Sequence, residues 1–275
     1  MKELNNFNLN DIHALVIDMD GVLWRGDMAL PGLVEFYDFL HTRAIPFMLA
    51  TNNSSKTPAQ YLRKLAGFGV SLEPRHILTS ALATAAYLKQ EFQPGAAIYV
   101  VGQDGLREAV REAGYVVLDD DRRPADAVVA GLDFTLTYDK LKYATLLIRR
   151  GARFIGSNGD LTFPLENGFG PGAGAVLAAL QAATDVAPTV IGKPERFMFD
   201  LAMQQMDTTP AQTATLGDRL ETDILGGQRA GLKTILVTSG VDDEASITAK
   251  GIQPDVIFSG IDELTAYWAE IDAQF

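Results

Sequence analysis

Short apolar runs alternate along this chain with longer amphipathic stretches, and that alternation restricts the fold more than any other feature of the sequence. The runs HALVID (13–18), PFMLAT (46–51), AAIYVVG (96–102), AVVAGL (127–132), RFIGSN (153–158), PTVIG (188–192), TATLGD (213–218) and TILVTS (234–239) have the length and apolar content of buried strands. Between them LVEFYDFLHTR (33–43), PAQYLRKLAGFG (58–69), GLREAVREAG (105–114), YDKLKYATLLIRRG (138–151), RFMFDLAMQQM (196–206) and TDILGGQRAG (222–231) read as helices. Leu141, Ala144, Thr145 and Ile148, for example, recur at the three-and-four spacing of one helix face. Gly114, Gly151 and Gly231 stand where a left-handed cap would end a helix. Strand-helix alternation of this kind predicts an α/β chain with parallel sheets and helices on their faces.

The strands fall into two sets. Those at 13–18, 46–51, 188–192, 213–218 and 234–239 end in polar residues: Asp18, Thr51, Gly192-Lys193, Gly217-Asp218 and Ser239. The stretch between carries its own β-α-β alternation and the glycine-rich segment GFGPGAGA (168–175). We therefore expect a core from 1–82 and 188–275, with a second α/β domain, 83–187, inserted into it.

The bulk properties exclude several functions. The formal charge is −12, with 35 acidic against 23 basic residues and no basic block, which argues against nucleic acid as partner. No apolar window approaches a membrane span, and the polar start MKELNNFNLND lacks a signal-peptide core. A cytoplasmic protein with no membrane partner is the expectation. The chain has no cysteine, so disulfides and thiolate metal sites are ruled out, and its 3 histidines are scattered.

Chemistry is concentrated at the strand ends, where parallel α/β sheets bind their ligands. In LVIDMDGVLWRG (15–26), Asp18 and Asp20 follow a buried apolar run. On a continuing strand they share a face, roughly 6–7 Å apart. Alone, the pair can equally be two turn aspartates. Thr51, Asn52 and Asn53 lead into a helix beginning near Pro58, so a hydroxyl and nearby amides can hold an anion or merely cap the helix. Lys193 ends another strand. Asp218, Glu221 and Asp223 cluster in GDRLETDILGG (217–227), where the helix dipole accounts for one acid more readily than for three. Together these groups suit a hard dication and a phosphoryl group. A carboxylate can be the nucleophile, and its neighbour can serve as acid and base.

The motifs DMDGV (18–22), TNN (51–53), GKP (192–194) and GDRLETDI (217–224), in this order and each at a strand end, resemble those of the haloacid dehalogenase superfamily of phosphohydrolases. With ALPG (29–32), TNNSSKTP (51–58), GARFIGSNGD (151–160) and PGAGA (171–175), the chain looks like the NagD-like subfamily (class IIA). That subfamily includes p-nitrophenyl phosphatases and phosphoglycolate phosphatases. The resemblance implies a Rossmannoid core with an inserted α/β cap and a Mg²⁺-dependent phosphatase of small phosphate monoesters. Matched by motif, Asp18 is the nucleophile and a metal ligand, and Asp20 is the acid/base and a ligand through its carbonyl. Thr51, Asn52 and Lys193 bind phosphate, and Asp218 binds metal. Asp223 supports from either coordination shell, and Asn53 holds the nucleophile loop. Arg219 departs from the Asn that relatives often carry after GD.

A phosphomutase or phosphotransferase on the same core is the alternative, with a non-catalytic sensor behind it. Within the cap, Asn158 and Asp160 are the candidates for substrate selection, against a plain Asx turn. A cap-mediated homo-oligomer also follows from the resemblance. GPGAGA lacks a P-loop ending and is read as a turn before the helix AVLAALQAA, and GQDG (102–105) lacks the full dinucleotide fingerprint.

Overall fold

The structure is a computed structural model that describes residues 2–3, 8–165 and 168–272. The chain forms two compact units. One comprises Met1–Thr51, Leu62–Leu78 and Lys193–Phe275, and the other Asn52–Tyr61 and Thr79–Gly192.

The first unit is built on a seven-stranded sheet. Its spatial order is Lys2–Glu3, Val256–Phe258, Lys233–Val237, Thr213–Gly217, Ala14–Ile17, Phe47–Thr51 and Ile77–Thr79. The Ala14–Ile17 strand runs parallel to Thr213–Gly217 on one side and to Phe47–Thr51 on the other, with Leu15 opposite both Ala214 and Phe47. All four of its residues are buried. Covered on both faces, it is a continuous apolar run rather than an alternating one. Setting aside the antiparallel Lys2–Glu3 edge, the strands follow chain order 3-2-1-4-5-6. This is the doubly wound order, whose direction reverses between the first strand and the fourth. The strands that lead into Asp18 and Asp218 are therefore neighbours at that reversal. The helix Leu33–Thr42 buries Leu33, Phe36, Tyr37 and Leu40, the spacing of a single core-facing stripe.

The second unit carries a five-stranded parallel sheet in the order Thr189–Val190, Arg153–Gly156, Ala127–Ala130, Ala97–Val101 and Val116–Leu118. Its core packs Tyr99, Val128 and Phe154 of the strands against Leu147 and Ile148 of the helix Tyr138–Arg149 and Leu177 and Leu180 of the helix Ala173–Thr184. The α/β reading holds: a Rossmannoid parallel-sheet core is interrupted by an inserted α/β cap region. One strand lies elsewhere than expected. The run at 188–192, grouped above with the first set, forms only Thr189–Val190 and pairs with Arg153–Gly156 in the second unit's sheet. A two-residue strand has no period of its own, so only its partner reveals its sheet. GPGAGA, read above as a turn, is none: the strand Gly168–Pro171 runs into it, Gly172 is the N-cap, and Ala173 already begins the helix Ala173–Thr184. Among the described residues, no helix is long and apolar enough to cross a membrane.

Candidate active site

At the reversal of the first sheet, three carboxylates and one ammonium converge. Asp18 follows the first strand, Asp218 follows the fourth, and Asp223 lies in a π-helical turn, Leu220–Ile224. One oxygen from each lies within 4.8 Å of the others. Lys193 is only 3% exposed, and its Nζ donates to Asp18 Oδ1 at 2.6 Å, to Asp223 Oδ1 at 2.6 Å and to the Ala50 carbonyl at 2.9 Å. Asp223 is buried, and its second oxygen accepts the backbone N–H of Arg219 at 3.1 Å. The loop that carries it is held by Asp242, whose buried carboxylate accepts the Leu220 N–H at 2.8 Å and pairs with Lys250. Glu221, the third acid of that motif, faces outward to Lys250 instead.

The electrostatics of this cluster are unbalanced. Three carboxylates against one lysine leave two negative charges in excess among buried groups. Burial, reinforced by Asp223, pushes the Asp218 carboxyl up from 3.8 to about 7, although the Val241 N–H and the Arg219 charge oppose the shift. Burial also raises Asp18 well above the ordinary carboxylate range. Lys193 lowers it, while Asp223 and Asp218 push it up further. Burial opposes the charge on Lys193, yet Asp18 and Asp223 together raise its pKa, so it remains an ammonium. A divalent cation would neutralise the excess. The donors fit one, being all hard oxygens. Asp218 Oδ2 accepts the Val241 N–H at 2.8 Å, while its Oδ1 is buried with no hydrogen-bond partner among the described residues. The cluster is thus capable of coordinating a divalent metal.

Glycines press on these acids. A Cβ at Gly21 or at Gly240 would overlap the Asp218 carboxylate, and one at Gly217 would overlap Asp223. Gly21 also has φ +91°, a conformation that side chains with a Cβ resist.

The remaining expected residues lie around this centre or in the second unit. Thr51 is buried at the end of the Phe47–Thr51 strand. Asp20 is exposed, and its Oδ1 accepts the Trp24 indole N–H at 2.7 Å. Asn53 Oδ1 accepts from the Ser55 N–H and hydroxyl at 2.9 and 2.6 Å, an Asx turn ahead of the Pro58–Gly67 helix. Within the second unit, Asn52 is held from both ends. Its Nδ2 donates to both Asp160 oxygens at 3.2 Å, and its carbonyl accepts from Asn158 Nδ2 at 2.7 Å and from the Ser80 hydroxyl. The Asn158–Asp160 loop is backed by Gly174, whose N–H donates to the Asp160 carbonyl at 2.8 Å. Sequence reasoning missed Gly240, Ser80 and Trp24. Gly240 follows Ser239, itself a strand-end residue already noted. Trp24 lies inside the motif LVIDMDGVLWRG, of which only the two aspartates carry a reading.

The comparisons agree with this geometry. Residues 15–116 match the family described as haloacid dehalogenase-like hydrolase, and residues 190–264 match a second described as HAD-hydrolase-like. An acid sugar phosphatase of Staphylococcus aureus is 39% identical over 253 residues, covering 92% of this chain and 96% of that protein. The crystal structure of a 4-nitrophenylphosphatase from Thermotoga maritima superposes with TM-score 0.89 at 33% identity, covering 94% of this chain and 98% of that one. NagD from E. coli K-12 superposes with TM-score 0.84 at 33% identity, covering 92% and 98%.

Proposed function

The chain belongs to the haloacid dehalogenase-like hydrolases, and on that premise we propose that it is a Mg²⁺-dependent phosphatase of small phosphate monoesters, sugar phosphates among them. The phosphatase activity is that of the family, and the buried Asp18, Asp218 and Asp223 cluster is consistent with aspartyl-phosphate chemistry. The observation that carries the reading is this cluster with Lys193 inside it, at the sheet reversal.

In the proposed mechanism, an Asp18 carboxylate oxygen attacks phosphorus while the P–O bond to the leaving group breaks. Asp20 gives its proton to the departing alkoxide. Asp20 then takes a proton from a water molecule, which attacks the phosphorus of the aspartyl phosphate. Inorganic phosphate leaves and Asp18 is restored. The Thr51 hydroxyl and the Asn52 N–H hold the phosphoryl oxygens, and Lys193 offsets their charge. Mg²⁺, held by Asp18, Asp218 Oδ1 and the Asp20 carbonyl, would supply further charge neutralisation. Asp223 has both oxygens engaged by Lys193 and Arg219, so its part is to hold Lys193 in place. The test is inorganic phosphate release across a panel of sugar phosphates, nucleotides, phosphoglycolate and p-nitrophenyl phosphate. Phosphate recovered on an organic acceptor in place of water would sink the hydrolase reading.

The contacts of Asp160 bear on how substrates are told apart. Its carboxylate is occupied by Asn52, the residue next to Thr51 in a subsite that every monoester shares. We expect Asp160→Ala to lower kcat/KM by about tenfold for all esters on the panel. The ranking of the esters should not change. A changed ranking would give Asp160 a direct role in choosing the leaving group.

A further inference from the structure

The carboxylate of Asp20 is exposed, yet one of its oxygens is fixed. Trp24 Nε1 donates to Asp20 Oδ1 at 2.7 Å, and Asp20 accepts no other hydrogen bond among the described residues. The indole is itself fully buried and tilts against Phe68 with ring centroids 6.1 Å apart. It begins the hairpin in which Trp24 pairs with Ala29 and Arg25 with Met28. The Trp24 carbonyl accepts the Gly21 N–H at 2.8 Å, so main chain and side chain both tie the hairpin to the turn after Asp20. Lys64 Nζ stands 4.7 Å from the indole centroid and is anchored on the Gly26 carbonyl at 2.6 Å. A cation over the ring face draws electron density from the ring that carries the donor.

The chemistry of the donor gives this contact a consequence. An indole N–H can only donate, so it can neither receive the proton of a carboxylic acid nor exchange roles with it. A proton on Asp20 Oδ1 would confront another N–H. In the acid form that the proposed mechanism requires, the proton is therefore placed on Oδ2, the oxygen left to face solvent. We infer that Trp24, backed by Lys64, is a positioning residue that assigns the transferable proton of Asp20 to Oδ2 and aims it. The inference rests on the proposed role of Asp20 as acid and base.

The test uses two esters. An alkyl phosphate needs a proton on its leaving oxygen, whereas p-nitrophenolate departs without one. The quantity kcat/KM reports the step in which that group leaves. Trp24→Phe keeps an aromatic ring and removes the N–H. We expect it to lower kcat/KM for an alkyl phosphate by about tenfold more than for p-nitrophenyl phosphate, a part of the 10²–10⁴-fold typical of general acids. Lys64→Met, which leaves the indole in place, should show the same selectivity at about threefold. Asp20→Asn is the reference and should be the most selective of the three. If Asp20→Asn is selective and Trp24→Phe slows both esters equally, the inference is wrong and the role of Asp20 stands. If Asp20→Asn itself slows both equally, the role of Asp20 falls and the inference falls with it. Should Trp24→Phe be recovered only as aggregate, Lys64→Met decides: equal rates on both esters relative to wild type overturn the inference.

Discussion

Asp18→Asn is expected to reduce phosphate release by at least about 10⁴-fold, or ~5.5 kcal/mol in the barrier. The amide is nearly isosteric with the carboxylate but cannot attack phosphorus. The same substitution is expected to leave the fold intact, for a reason visible in the site. In the metal-free protein, burial and the facing Asp223 and Asp218 hold the Asp18 carboxyl well above its ordinary range. A raised carboxyl means that the charged form destabilises the fold, and the amide carries no charge. Lys193 keeps its contact with Asp223 at 2.6 Å. The melting temperature of the metal-free variant at pH 8 should therefore be no lower than that of the wild type. Turnover near the wild-type rate in purified Asp18→Asn would remove Asp18 as the nucleophile. An inactive and unfolded variant would point instead to a structural role.

Chelation is the second large effect. Activity should fall to background in EDTA and return with Mg²⁺. Ca²⁺ should support it poorly, because it takes more ligands in a looser geometry. Stability gives an independent readout. The Asp218 carboxyl is raised from 3.8 to about 7 in the fold, chiefly by burial. Its contribution to stability is fully present below pH 3.8 and is lost as pH rises through about 7. The chelated protein should thus melt lower at pH 8 than at pH 5. On the proposed metal assignment Mg²⁺ would bind the charged carboxylates, so it should raise the melting temperature more at pH 8 than at pH 5. Full activity after exhaustive chelation, or a Mg²⁺ effect on melting that is larger at low pH, would contradict the metal assignment.

Much of the site's composition could be read before the fold was known, because parallel sheets deliver strand ends to a common edge. Asp18, Thr51, Lys193 and Asp218 were each marked by a polar residue at the end of an apolar run. What the sequence did not disclose were contacts made across the chain. Gly240 matters because it abuts a carboxylate 22 residues earlier, and nothing local signals that proximity. The indole of Trp24 reads as core until its N–H is seen to reach Asp20. The helix Ser80–Glu91 was missed because it buries Ser80, Ala81, Ala83, Thr84 and Ala85 almost consecutively, leaving no clear polar stripe. The strands Ile77–Thr79 and Val116–Leu118 have three residues each, too few to show alternation.

The glycines at 21, 217 and 240 carry a lesson for judging decayed copies of such a gene. A survey that checks only acids and the lysine would score a copy as active if Asp18, Lys193, Asp218 and Asp223 were all kept. Yet a methyl group at 240 occupies the space of the Asp218 carboxylate, and one at 217 occupies that of Asp223. A copy with every charged residue intact and alanine at either position is expected to be silent, its acids present but displaced. Its inactivity would be written in residues that have no side chain to lose.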